Sequence, residues 1–181
     1  PGRFERLTRH DVVIDRDGSI RSVAPADAVV VPDIVLEDDL VLLPGMVDTH
    51  LHAPQWPQLG VGLDLPLERW LFEYTFPLEA RYADTAFAEE VWAHMVPSLL
   101  RHGTTTAVYY GSIHEDATTA LAEACVRHGQ RAFVGRVAMD HPAGTPDWYR
   151  DDDAAGAVAA SARSIDAVRH ADGGRGLVEP I

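Results

Sequence analysis

Short apolar runs alternate with turn-forming residues over the first forty positions. Residues 11–14 (DVVI) and 19–23 (SIRSV) are rich in β-branched side chains, and Arg16-Asp17-Gly18 separates them. Two such runs joined by a turn that contains Asp-Gly are typical of a β-hairpin. We therefore predict that residues 1–40 form part of a small, β-sandwich-like domain.

From Asp39 onward the pattern changes to apolar runs that alternate with helical periodicity. The predicted strands are residues 40–47, 104–110 and 131–139, followed by a strand that starts at 177. The predicted helices are residues 84–103, 117–128 and 153–170. Asp84 suits an N-cap, Gly129 suits a helix end, and Pro97 should kink or split the first helix. Strands that alternate with helices indicate an α/β fold with a parallel sheet.

A long connection, residues 53–80, follows the first of these strands and is rich in proline and aromatic residues. Connections of this length are usually functional or ordered by their own packing. The rings of Trp70, Phe72, Tyr74 and Phe76 could wall a planar heterocycle by stacking, or pack the segment onto the rest of the domain. We prefer packing for most of them and retain Trp70 as a candidate substrate contact.

Charge and cysteine content narrow the classes of function. The net charge is −13, from 28 acidic residues against 15 basic ones, all of which are arginine, so the chain disfavours binding to nucleic acid. Cys125 is the single cysteine, which excludes an intramolecular disulfide and fits a cytoplasmic location. No apolar run reaches the roughly 20 residues that span a bilayer, so no membrane partner is expected. Pro1 and the final LVEPI suggest a chain truncated at both ends.

The most informative motif is VDTHLH, residues 47–52, at the end of an apolar run. Side chains alternate along a strand, so Asp48, His50 and His52 should face one side. Alternate residues lie roughly 6.6 Å apart at Cα, and imidazoles at that spacing can converge on an ion with Zn–N bonds of about 2.0–2.1 Å. Asp48 could support them by accepting a ring N–H or by contacting another polar group. The alternative is that both histidines lie at a polar rim.

Four separate segments resemble the guanine deaminase family of the amidohydrolase superfamily. They read LLPGMVDTHLHAPQ, HAPQWPQLGVGLDLPLERWLFEYTFPLEARYAD, HGTTTAVYYGSIH and GQRAFVGRVAMD. The resemblance implies a (β/α)8 barrel of the metal-dependent hydrolase kind and zinc-dependent hydrolysis of guanine to xanthine and ammonia. It also implies a cytoplasmic enzyme that binds one zinc ion per chain, takes a small-molecule purine as substrate and forms a homodimer at full length.

The resemblance extends to individual residues. His50 and His52 match the first two metal ligands of the family, and Gln55 matches the glutamine that hydrogen-bonds the purine. A carboxamide offers both a donor and an acceptor, which suits a purine edge, although a loop glutamine can also bond to backbone. His114 follows the next predicted strand on the face where barrels carry their chemistry, so it is a candidate pocket residue; a structural role is the preferred alternative.

The family's remaining metal ligands and its catalytic glutamate match nothing in these 181 residues, so we expect them beyond Ile181. Four predicted strands instead of eight correspond to the first half of a barrel, residues 41–181, and this piece alone is expected to be inactive. Two alternatives stay open: a related enzyme that deaminates a triazine, a pterin or 8-oxoguanine, and a non-catalytic scaffold. The cytidine-deaminase type of zinc site is excluded because it needs at least two cysteines.

Overall fold

The computed structural model describes residues 5–27 and 31–181, and the chain divides into two compact units, Pro1–Leu43 and Pro44–Ile181. In the first unit, β1 (His10–Ile14) pairs antiparallel with β2 (Ile20–Pro25), which confirms the predicted hairpin. Gly18, at φ +85°, turns the chain between the strands and donates its N–H to the carbonyl of Asp15 over 2.9 Å. The β-sandwich-like domain remains a prediction.

The second unit is built on a four-stranded parallel sheet in the order β3-β4-β5-β6. Its strands are β3 (Met46–His52), β4 (Thr104–Tyr110), β5 (Arg131–Gly135) and β6 (Val178–Pro180). Three long helices connect consecutive strands: α3 (Thr85–Arg101), α4 (Glu115–His128) and α5 (Ala154–Asp172). The predicted α/β class with a parallel sheet is thereby confirmed. No helix in the described part of the chain is both long enough and apolar enough to cross a membrane.

Two strand boundaries and the continuity of one helix differ most from the sequence prediction. The apolar run that starts at Leu40 is exposed and irregular, and β3 begins only at Met46, because Pro44 has no N–H to donate to a sheet. The first inter-strand contact is the N–H of Met46 donating to the carbonyl of Gly103 over 2.8 Å. β5 ends at Gly135 rather than extending to 139. Helix α3 continues through Pro97 without being split.

The connection between β3 and α3 is largely helical rather than an open loop. It contains a 3₁₀-helix (Ala53–Gln58), α1 (Leu67–Trp70), a π-helical turn (Leu71–Thr75) and α2 (Phe76–Ala80), and ends in a 3₁₀ turn (Arg81–Ala83). A buried hydrogen bond, 2.8 Å from Gln58 Nε2 to Thr75 Oγ1, ties the start of this segment to its middle. Its own polar contacts therefore order the segment.

One face of the sheet is packed and the other is open. Alternate side chains of β4 and β5, among them Tyr109 and Val134, are fully buried beneath the helices. On the opposite face Phe133 is 38% exposed. Parallel sheets in α/β proteins are normally covered on both faces, and this face of the sheet lacks that cover among the described residues.

Candidate metal and ligand site

The two histidines of the VDTHLH motif converge at the C-terminal end of β3. Nε2 of His50 lies 3.2 Å from Nε2 of His52, and the ring centroids are 5.1 Å apart. Two nitrogen ligands of one tetrahedral zinc ion, each at about 2.0–2.1 Å, lie about 3.3 Å from each other. The donor atoms are therefore spaced as two members of a zinc site would be.

A β-bulge between Asp48 and Leu51 contains the backbone of His50. Asp48 pairs with Ala107 and Leu51 pairs with Tyr109. Between these two pairs β3 therefore contains one residue more than β4. The carboxylate of Asp48 accepts the backbone N–H of His50 over 3.0 Å, inside this bulge. Bulges re-aim side chains and recur beside functional sites. Asp48 thus contacts the main chain of a histidine rather than an imidazole ring.

Tyr110, the last residue of β4, packs against both histidines, and the sequence prediction missed it. Its ring centroid lies 4.6 Å from that of His50 and 5.2 Å from that of His52, nearly parallel to the latter. Burial lowers the pKa of His52, and the neighbouring His50 lowers this pKa further. The only signal for Tyr110 was its position at the end of the neighbouring parallel strand, where side chains of consecutive strands meet.

Gln55 belongs to a buried polar network that the sequence prediction also missed. Its Nε2 donates to Oε1 of Glu79 over 3.0 Å, and the hydroxyl of Tyr149 donates to Oε2 of the same carboxylate over 2.9 Å. Glu79 is 4% exposed, and its burial raises its pKa while the hydrogen bonds from Gln55 and Tyr149 lower it. These three residues come from the 3₁₀-helix, from α2 and from the loop after β5. No local sequence motif therefore predicts that they form a network.

His114 lies at the N-terminus of α4, beside this network. Its ring centroid is 5.9 Å from that of Tyr149, and its Nε2 is buried without a hydrogen-bond partner among the described residues. Burial lowers the pKa of His114, and the positive charge of Arg136 lowers it further, while the backbone of Ala80 and the carboxylate of Asp151 act in the opposite direction. The residue therefore favours a neutral imidazole.

Trp70 lies apart from these contacts. Its indole N–H donates to the carbonyl of Val61 over 2.9 Å, and the ring lies close to Gly62. This contact closes the loop between the 3₁₀-helix and α1, within the segment itself, and the role of Trp70 as a substrate contact stays a prediction.

Arg136 organises the loop that follows β5. Its side chain is 1% exposed and pairs with Asp151 over 2.6 Å. The same guanidinium donates to the carbonyls of Ile113 and Ala157 and to the hydroxyl of Ser161, at 3.0–3.2 Å. The second carboxylate oxygen of Asp151 accepts the N–H of Met139 over 2.8 Å. All charged groups here have partners, so the cluster is architectural.

Within residues 5–27 and 31–181, no group of three or more histidine, cysteine, aspartate or glutamate side chains is arranged to hold a metal ion. The structure brings the rings of His50 and His52 together and joins Gln55 to Glu79, whereas Asp48 contacts only the backbone of His50. His114 is within ring contact of the second group through Tyr149. Two imidazoles are fewer than the three or four protein ligands that a zinc site normally uses.

Comparison with known proteins identifies the class of this chain. Residues 41–178 match the model of the amidohydrolase family, so the chain belongs to that family. It is 52% identical over 108 residues to the guanine deaminase of Dictyostelium discoideum. This alignment covers 60% of this chain and 24% of that protein. The guanine deaminase of Escherichia coli K12 is 40% identical to this chain over 124 residues. That alignment covers 67% of this chain and 28% of that protein. The chain thus spans about a quarter of the length of these curated relatives.

The same similarity appears in three dimensions. A guanine deaminase from C. acetobutylicum, solved with guanine bound in its active site, superimposes with a TM-score of 0.77 at 29% sequence identity. The match covers 94% of this chain and 39% of that protein. The amidohydrolase fold inferred from sequence resemblance is therefore confirmed at the level of the family.

Proposed function

We propose that this chain is part of a guanine deaminase, which hydrolyses guanine to xanthine and ammonia. The observation that carries the proposal is the convergence of His50 and His52, 3.2 Å apart at Nε2, inside the region, residues 41–178, that matches the amidohydrolase family. Both the spacing of the donor atoms and the length of the similar region support a metal-dependent aminohydrolase.

The metal of the proposed enzyme is zinc, one ion per chain, with His50 and His52 as two of its ligands. Two neutral imidazoles suit zinc, and the spacing of their Nε2 atoms fits a tetrahedral site. When bound, zinc supplies Lewis-acid chemistry that lowers the pKa of a water molecule from about 15.7 towards about 7. Asp48 braces the backbone of His50, and Tyr110 holds the two rings in place. The remaining ligands and the proton-shuttling glutamate are proposed to lie in sequence outside these residues.

The architecture proposed for the enzyme is a (β/α)8 barrel of which this chain forms the first half. The open face of the sheet supports this, since Phe133 on that face needs cover from further strands. The hairpin of residues 10–25 would belong to a small β-sandwich-like domain. The full-length protein is proposed to be a cytoplasmic homodimer, and the 181 residues alone are proposed to be inactive.

The purine is proposed to contact Gln55, which follows His52 by three residues. His114 and Trp70 are proposed as further contacts from the surrounding segments; the unpartnered Nε2 of His114 supports the first of these. Neither nucleic acid nor membrane is proposed as a partner.

Ammonia release by the full-length protein tests the function. With zinc bound, we expect turnover of guanine to exceed turnover of a triazine, a pterin and 8-oxoguanine by at least about a hundredfold, because a site built to hydrogen-bond one heterocycle leaves polar groups unpaired with others. If one of the other three compounds is turned over faster than guanine, that compound is the substrate and the proposal of guanine fails. If the full-length protein binds no zinc and deaminates none of these compounds, the alternative of a non-catalytic scaffold is favoured.

A further inference from the structure

Gln55 is held from one side only. Its Nε2 donates to Glu79 over 3.0 Å, and within the described residues its Oε1 makes no hydrogen bond. An amide side chain can be turned end for end with little change of shape, so the atom it presents to a ligand depends on its fixed partner. For Gln55 that partner is a carboxylate.

The other end of Glu79 is also occupied by a donor. Tyr149 donates its hydroxyl proton to Oε2 over 2.9 Å, while the backbone N–H of Ile113 approaches the same hydroxyl oxygen at 3.4 Å. Because the proton of Tyr149 is directed to Glu79, the carboxylate acts as an acceptor at both oxygens. Only the NH2 group of Gln55 can satisfy such a partner, so the carbonyl oxygen of Gln55 is left facing away from Glu79.

We propose that Glu79 is a positioning residue for substrate selection: it fixes the orientation of the Gln55 carboxamide so that Oε1 accepts a hydrogen bond from an N–H group of the substrate. This inference rests on the proposed function. Guanine carries N–H donors at N1, at N9 and on its exocyclic amine, so its edges can meet an acceptor held in this way. A heterocycle that offers a ring acceptor at the same point is rejected.

Burial makes this arrangement rigid. Glu79 is 4% exposed and Tyr149 is 1% exposed, and the ring of Tyr149 packs against Phe76 at a centroid distance of 5.9 Å. The carboxylate therefore cannot turn to solvent, and Gln55 cannot exchange its partner for water on that side. The contact that positions Gln55 spans 24 residues of sequence, and the contact of Tyr149 that buries and stabilises Glu79 spans 70.

The variant Glu79→Gln in the full-length protein tests the proposal, because it preserves shape and reverses the pattern of donors. The amide oxygen at position 79 would accept from Tyr149, its NH2 would face Gln55, and Gln55 would turn its carbonyl towards position 79. We expect kcat/KM for guanine to fall about tenfold to a hundredfold. We also expect the ratio of kcat/KM for guanine to that for 2-aminopurine, which keeps the amine at C2 but has a ring acceptor in place of the N1–H donor, to fall by at least about tenfold.

Two matched variants separate positioning from stability. Tyr149→Phe removes a buried hydrogen bond but leaves the carboxylate facing Gln55, so it should lower the melting temperature and leave the guanine to 2-aminopurine ratio unchanged. Glu89→Gln changes an exposed glutamate of α3 and should alter neither quantity. An equal loss of both activities in Glu79→Gln, with the ratio kept, would overturn the proposal.

A second readout is independent of turnover. In protein labelled with ¹⁵N-glutamine, the side-chain NH2 signal of Gln55, assigned from its absence in Gln55→Ala, should carry the downfield proton shift of a bond to a carboxylate and lose it in Glu79→Gln. If the wild-type protein does not deaminate guanine, the proposed function fails while this signal still tests the contact. An unshifted Gln55 signal in the wild-type protein would overturn the inference even if guanine is the substrate.

Discussion

Two polar clusters lie at the same edge of the sheet, and they differ in how completely their polar atoms are paired. Arg136, which directly follows β5, is 1% exposed and donates from all three guanidinium nitrogens to protein acceptors. His50 and His52, at the end of β3, direct their Nε2 atoms at each other over 3.2 Å. The saturated cluster holds the architecture together, whereas the two imidazole nitrogens, close enough to hydrogen-bond each other, are also spaced for one ion that both could bind.

The comparison also shows how each cluster is supported. Arg136 is fixed by backbone carbonyls and by Asp151, so its surroundings are complete within the chain. The histidines are fixed indirectly, through the bulge at Asp48 and the ring of Tyr110. Substitutions in the first cluster should therefore affect folding, and substitutions in the second should affect ligand binding and activity.

The largest expected effect is the loss of metal. In the full-length protein, His50→Ala combined with His52→Ala should reduce bound zinc to below about one tenth of an ion per chain and abolish activity, because too few ligands remain for a tetrahedral shell. Elemental analysis and ammonia release measure the two quantities. His94→Ala, on an exposed face of α3, is the matched control, and stoichiometric zinc in the double variant would remove the histidines from the metal site.

Breaking the saturated cluster should instead affect stability. Arg136→Met leaves Asp151 buried without its partner and should lower the free energy of unfolding by about 3–5 kcal/mol. Arg163→Met breaks an ion pair with Glu115 whose side chains are 63% and 31% exposed, so it should cost less than about 1 kcal/mol. Urea denaturation of both variants measures the difference. Equal losses would mean that burial does not distinguish these two ion pairs.

Gln55→Ala should lower kcat/KM for guanine by about ten- to a hundredfold, because a polar partner of the substrate is removed. Zinc content should not change, since the carboxamide is not required as a ligand. Kinetics, zinc content and melting temperature are measured on one preparation. Unchanged kinetics with a lower melting temperature would make Gln55 a bracing residue of the loop.

The smallest expected effect concerns the bulge. Asp48→Ala removes the acceptor for the N–H of His50 and should weaken zinc binding about tenfold, the lower end of the range for residues that orient metal ligands. Asp48→Asn keeps an oxygen acceptor and should restore most of the affinity. Competition with a chelator measures both dissociation constants. Equal weakening by the two variants would show that the negative charge, rather than the hydrogen bond, supports the site.

The sequence alone determined the elements that depend on local patterns. The hairpin over 11–23 follows from β-branched runs around an Asp-Gly turn, and the end of α4 follows from Gly129, which adopts φ +74° in the structure. Asp84 caps α3 as predicted, by accepting the N–H of Ala86 over 3.0 Å. The common orientation of His50 and His52 was also predictable, because side chains two residues apart on a strand share a face.

Only the tertiary structure decided what surrounds those histidines and what Gln55 contacts. Tyr110 meets the imidazoles because β4 pairs with β3 in a register shifted by a bulge. Glu79 reaches Gln55 because the chain folds through a π-helical turn before α2, and Tyr149 reaches Glu79 from a loop 70 residues away. Local periodicity depends on the backbone geometry of neighbouring residues, whereas these contacts depend on how separate elements pack. A pattern read along one segment therefore carries no information about the partner that a distant segment supplies.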